Sequence, residues 1–334
     1  MILTKQLYFA PLIVFAMTIA ASNTELGTPD RDDIEYPDGD PPSKLEVELG
    51  KTLYFDNRLS KNNNQSCASC HNPDLGFGDG IKFSIGTHGK KVGRNAPHIY
   101  NLAFASTFMW DGRFQTLEEQ ALGPIQAAGE MDMNLKDVVK RLNKVKYYRN
   151  TFKKVYKKPI STELIAKAIA GFERTLISDN SPFDRYIKGD KFAMGPGAIR
   201  GLEIFKGKGN CADCHNGVNF TNDAFHNIGI ADNDNGRGNQ QPKSKHMKGA
   251  FKTPGLRNVL LTAPYMHDGS LGTLEEVVDF YDKGGIKKTN LDPLIKPLKL
   301  TNQEKADLIE FLGALTDPLD IKRPKIPADD GLSH

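Results

Sequence analysis

Apolar residues recur along this chain mainly at helical spacing. Between residues 161 and 177, Leu164, Ile165, Ala168, Ile169 and Phe172 fall on one face of a helix. Near the end, Thr301 and Glu304 form a capping box ahead of Leu308, Ile309, Phe311, Leu312 and Leu315. Further helices are expected over residues 43–55 and 197–205. Strict alternation is scarce, so the expected fold is all-α with long loops. At the start, Lys5 precedes an apolar run from Leu7 to Ala21, broken by Pro11 and followed by small residues. That is the form of a secretory signal over residues 1–22, and it is short for a membrane span. Residues 23–42 are polar and proline-bearing, and are expected to form an extended leader onto the first domain.

The chain repeats itself. Pro97-His98-Ile99-Tyr100-Asn101 leads to Met109-Trp110-Asp111-Gly112 and then to Thr116-Leu117-Glu118-Glu119. Pro254-Gly255-Leu256-Arg257-Asn258 leads at the same spacing to Met266-His267-Asp268-Gly269 and Thr273-Leu274-Glu275-Glu276. A length of 334 residues suits two domains, placed at 43–180 and 181–334, with a proline-rich tail beyond Pro318 expected to wrap across the other domain.

Each half carries one copy of the same chemistry. The four cysteines all lie in Cys67-Ala68-Ser69-Cys70-His71 and Cys211-Ala212-Asp213-Cys214-His215. The pattern C-x-x-C-H attaches haem c: two thiols one turn apart bond the porphyrin and the next histidine offers its imidazole to iron. Two covalent haems follow, with His71 and His215 as proximal ligands, and the fold becomes two tandem haem domains. The 44 Lys and Arg against 41 Asp and Glu are interspersed, so no basic stripe suits nucleic acid, and no segment after the signal could span a membrane.

The sixth ligand decides what each iron does. Met266, in a proline-bearing turn, suits an electron-transfer haem closed by sulfur, with His267 as the rival ligand. In the first half, His88 sits among Gly86, Gly89 and Gly93 on a segment rich enough in glycine to move, while Met109 matches Met266 by repeat. The residues alone leave His88 and Met109 as alternatives.

Taken together, these residues resemble the bacterial di-haem cytochrome c peroxidase family, from about Ser43 to Leu315. The resemblance is carried by residues 84–89 (SIGTHG), 93–97 (GRNAP), 110–113 (WDGR), 117–121 (LEEQA), 123–125 (GPI), Glu130-Met131 and 252–259 (KTPGLRNV). It implies cytochrome c-like domains, with hydrogen peroxide reduced at the first haem using electrons that enter at the second from a small cytochrome c or a copper protein. It also implies His88 as a displaceable distal ligand, Gln120 and Glu130 as the distal amide and acid–base carboxylate, and Trp110 as the aromatic between the haems. Asn95 would contribute to one calcium ion, and a periplasmic homodimer is expected. Two other readings stand beside this one. One is a di-haem enzyme that oxidises residues of a partner protein, a group that carries tyrosine at the place of Met266. The other is a non-enzymatic di-haem electron carrier.

Overall fold

The computed structural model describes residues 25–37 and 39–329, so the expected signal over residues 1–22 lies outside it. Its helices run in the order α1 (Lys44–Tyr54), α2 (Cys67–Cys70), α3 (Leu117–Gln126), α4 (Leu135–Asn143), α5 (Lys146–Tyr156), α6 (Thr162–Glu173), α7 (Pro182–Ile187), α8 (Pro196–Lys206), α9 (Leu274–Asp282) and α10 (Asn302–Gly313). Among the described residues one small sheet occurs, β1 (Phe225–His226) antiparallel to β2 (Phe251–Lys252). The fold is helix-rich with little sheet, as the periodicity predicts.

Helix starts follow from side-chain caps. The hydroxyls of Ser43, Thr116, Ser161 and Thr273 accept the third backbone N–H of α1, α3, α6 and α9. Thr301 and Glu304 cap α10 reciprocally. In each half two helices cross in backbone contact at a glycine. A Cβ on Gly50 of α1 would lie 1.8 Å from the carbonyl oxygen of Ala168 in α6, and one on Gly201 of α8 would lie 2.0 Å from that of Asp307 in α10. Beside these crossings Tyr54 meets Phe172 edge-on at 5.2 Å, and Phe205 meets Phe311 at 5.1 Å.

The repeat is therefore structural. Asn101 and Asn258 take φ of 58° and 60°, Met109 and Met266 take 70° and 71°, and Gly112 and Gly269 take 61° and 58°. Isolated bridges join Phe108 to Phe114 and Tyr265 to Leu271 at the same place in each half. The first core gathers Leu49, Leu53, Ile125, Val138, Tyr148, Phe152 and Ile169, and the second Phe183, Phe205, Phe220, Leu308, Phe311 and Leu315. Beside the second core the Arg257 guanidinium lies wholly buried, donating to both Asp184 oxygens at 2.8 and 2.9 Å.

The ends of the described chain cross between halves. The leader touches both halves. Leu26 bridges Gly217, Gly27 accepts a hydrogen bond from Arg257, and Arg31 pairs with Asp179. The buried Arg257 has donors left over after Asp184, and the leader's carbonyl fills one. Farther on, Pro42 reaches Gly171 of α6. The tail runs the other way: Leu319 and Ile321 pack on first-half residues, Arg323 reaches Asn72 and Asp74, and Arg58 holds the Pro327 carbonyl and Asp329.

Candidate functional site

The two C-x-x-C-H motifs each open onto a cavity. The first, ≈ 360 Å³, is lined by Cys67, Cys70 and His71 together with Met109, Gln120, Arg113 and Glu130. The second, ≈ 220 Å³, is lined by Cys211, Cys214 and His215 with Met266, Val277, Tyr281 and Leu312. One turn of chain places each cysteine pair, closed by the N–H of His71 on the Cys67 carbonyl (2.9 Å) and of His215 on that of Cys211 (2.8 Å).

Both imidazoles are aimed in the same way. Nδ1 of His71 sits 3.2 Å from the Phe77 carbonyl, and Nδ1 of His215 sits 3.0 Å from that of Phe220. Phe77 and Phe220 reach back to do this through left-handed backbones, at φ of 61° and 56°. A nitrogen facing a carbonyl carries the hydrogen, which leaves Nε2 with its lone pair for iron. Burial favours the neutral ring, lowering the pKa of His71 and bringing that of His215 to about 4.

These residues fit covalent haem. All four thiols are unbridged. Burial pushes Cys67 well up, Cys70 and Cys214 to about 11 and Cys211 to about 12. A reactive redox dithiol is tuned in the opposite direction. The paired thiols, the oriented imidazole and the largely apolar walls suit a porphyrin in each cavity.

Of the residues singled out by sequence, Gln120, Glu130, Met109 and Trp110 all reach the first cavity. Gln120 donates Nε2–H to Met109 Sδ at 3.8 Å. Burial raises the carboxyl pKa of Glu130, partly offset by the Arg113 guanidinium. Trp110 lines both cavities, donates Nε1–H to the Asn95 carbonyl at 2.8 Å, and lies edge-on to His267 at 6.3 Å. Met266 and His267 both line the second cavity, but His267 stacks on Phe251 at 3.5 Å and commits Nε2 to Asp232 at 2.5 Å.

His88 is not brought to the first cavity in this structure. It is half-exposed, with Nε2 on Asp132 at 2.8 Å. The loop that carries it is also less free than its glycines suggest. Thr87 gives its N–H to the Glu130 carbonyl (2.7 Å) and its own carbonyl to Asn62 and Asn64 (3.0 and 3.1 Å), while a Cβ on Gly86 would strike the Gly129 carbonyl. Gly86 allows this close backbone approach.

Asn95 lines the wall shared by both cavities, but its amide nitrogen donates to the carbonyls of Ile81 (3.0 Å) and Lys82 (3.3 Å). Calcium needs several converging oxygens. Calcium at Asn95 rests on the resemblance alone.

The sequence reading missed two cavity residues. His98 lines both cavities, donating Nε2–H to the Gly255 carbonyl at 2.8 Å and accepting the Tyr100 N–H at Nδ1 (3.3 Å). Its place inside the repeated block was a usable signal. Glu173, at the end of α6, lines the first cavity with nothing in its local sequence to mark it.

A family model described as di-haem cytochrome c peroxidase matches residues 44–192. The methylamine utilization protein MauG of Methylorubrum extorquens is 44% identical over 299 residues, 88% of this chain and 85% of its own length. Cytochrome-c peroxidase IdrP1 of Pseudomonas sp. (strain SCT) is 36% identical over 358 residues, covering 95% and 94%. Among solved structures, a MauG-like protein associated with microbial copper homeostasis superimposes with a TM-score of 0.79 at 35% identity, over 85% of this chain and 92% of that one. With two such relatives matched over most of its length and two cavities each built round a C-x-x-C-H turn, this chain belongs to the di-haem cytochrome c peroxidase family.

Proposed function

We propose that the protein reduces hydrogen peroxide to water in the periplasm, using electrons from a small cytochrome c or copper protein. In this reading residues 43–180 form a cytochrome c-like domain that handles peroxide, and residues 181–334 form a second such domain that receives electrons. One observation carries the reading. The two cavities share a frame but differ in their polar groups: at the place of Gln120 in the first, the second has Val277, and the first alone has the half-buried carboxyl of Glu130. A distal amide and carboxylate suit substrate chemistry, and an apolar pocket with a methionine suits electron transfer.

Haem iron bound on His71 supplies peroxide binding, O–O cleavage and one-electron transfer. Around it, Gln120 turns its amide from Met109 Sδ to hydrogen-bond and orient the peroxide. Glu130 takes the proton from the inner peroxide oxygen and returns it to the outer one, which leaves as water. A carboxyl whose pKa burial has raised suits both halves of that transfer. The Phe77 carbonyl, holding Nδ1–H of His71, makes the imidazole a stronger electron donor. Trp110, on the wall between the cavities, carries electrons from the second half to the first. His88, held by Asp132, leaves the distal side open, and its return to the cavity would close it. No step is routed through calcium.

A second reading has its own support. Relatives named methylamine utilization protein MauG are 44% and 39% identical to this chain, against 36% for the peroxidase IdrP1, so a MauG-like oxidation is the second reading. Met266 in the second cavity argues for the peroxidase.

Cyanide binding to the half-reduced, haem-loaded protein tests the proposal. Binding at the first iron alone is expected. If neither iron binds cyanide in wild type but the first does after Met109→Leu, then Met109 is a ligand and the protein is an electron carrier.

A further inference from the structure

Glu173 is a buried carboxyl for which neither the fold nor the proposed peroxide chemistry has a use. It is 5% exposed, and its Oε2 has no hydrogen-bond partner. The neighbouring cation does not serve it, because Arg174 gives both guanidinium arms to Glu118 at 2.6 and 2.9 Å. Leaving a desolvated carboxyl unpaired costs a few kcal/mol, and far more if it is charged. Such a group persists where its surroundings, once complete, give something back. Glu173 lines the first cavity, on the side of Cys67 and Tyr54, whose own ionisation it opposes.

The internal repeat provides a control. Gly50 meets Ala168 and Phe172 where Gly201 meets Asp307 and Phe311, so Glu173 corresponds to Leu312. Leu312 is also buried and lines the second cavity. The same point of the same frame therefore holds a carboxyl beside one cavity and an isobutyl group beside the other.

We propose that Glu173 is a positioning residue for charge: its carboxylate faces the first haem, stabilises the ferric over the ferrous state, and sets that haem's potential below that of the second. Ferric haem carries one more positive charge than ferrous haem, so a nearby anion in a low dielectric favours the oxidised form. Glu173 alone is driven up to about pH 8 by burial, and ferric haem supplies the cation that lets it ionise. The groups facing it are the Arg174–Glu118 pair, Tyr54, and Cys67, which haem attachment removes from titration. The consequence is functional. A donor delivering one electron then fills the second haem and leaves the first ferric, the state in which peroxide would meet it.

The inference rests on the di-haem reading, and one experiment separates the two. Redox titration of the haem-loaded protein, following each haem's absorption band, compares wild type with Glu173→Gln and Glu173→Leu. Both variants should raise the first haem's potential by at least the equivalent of about a tenfold change in its reduction equilibrium, which is about 59 mV for one electron. The second haem should not move, and the difference should shrink as the pH falls and the wild-type carboxyl takes up its proton. An unchanged first potential, or equal shifts in both haems, overturns the inference while leaving the di-haem reading intact. Lack of covalent haem in wild type overturns both. If neither Glu173 variant loads haem, Leu312→Glu carries the test: a lowered second potential supports the inference and an unmoved one overturns it.

Discussion

Glu130 is the side chain on which the proposed chemistry depends most. Replacing it with Gln removes the proton carrier and keeps the shape. Peroxide cleavage should slow by roughly 10²–10⁴-fold, read by stopped flow on the half-reduced protein. The group must start as a carboxylate, and burial raises its pKa. Wild-type cleavage should therefore fall as pH drops through that raised value, and the Gln variant should lose that limb of the profile. A second residue-scale prediction concerns folding. Arg257→Met strips Asp184 of its partner while both sit about 1% exposed, so stability should fall by about 3–5 kcal/mol in denaturant titration. The four cysteines and two proximal histidines were legible because covalent attachment fixes their spacing within five residues. Glu173 was not, since its burial and missing partner come from residues far away in sequence.

Among the elements, each half is built on a pair of helices that touch through glycine. Gly50→Ala puts a methyl group where the Ala168 carbonyl lies, and α1 and α6 must separate. A loss of at least about 1–3 kcal/mol is expected, measured as a lowered denaturant midpoint. The apolar stripe of α6 and the capping box of α10 gave those helices away in the sequence. α4 and α5 were harder to read, because Lys140, Arg141, Lys146, Arg149, Lys153 and Lys154 obscure the few apolar positions that pack. In the glycine-rich loop carrying His88, Gly86 is where two backbones meet, which the sequence does not mark.

Across the whole molecule, the halves are joined through a shared wall. Trp110 holds the Asn95 carbonyl and accepts the Lys252 N–H on its own carbonyl at 2.8 Å, while Arg94 bridges Asp111 of the first half and Asp234 of the second. Trp110→Leu should leave each haem's spectrum in place and slow electron movement between them by an order of magnitude or more, followed by flash or stopped-flow spectroscopy. The duplication was legible because two ungapped blocks repeat. The tail's return across the first half was legible in its proline-rich run beyond Pro318, whereas the leader's contacts with the second half were not, since such a segment takes whatever surface the folded halves present. The central claim is tested most directly by mixing the haem-loaded protein with a reduced small cytochrome c and following its oxidation on addition of hydrogen peroxide, before and after reducing only the second haem. The account predicts two cytochromes oxidised per peroxide consumed. Failure of either form to turn over, with cytochrome and copper-protein donors alike, would contradict it.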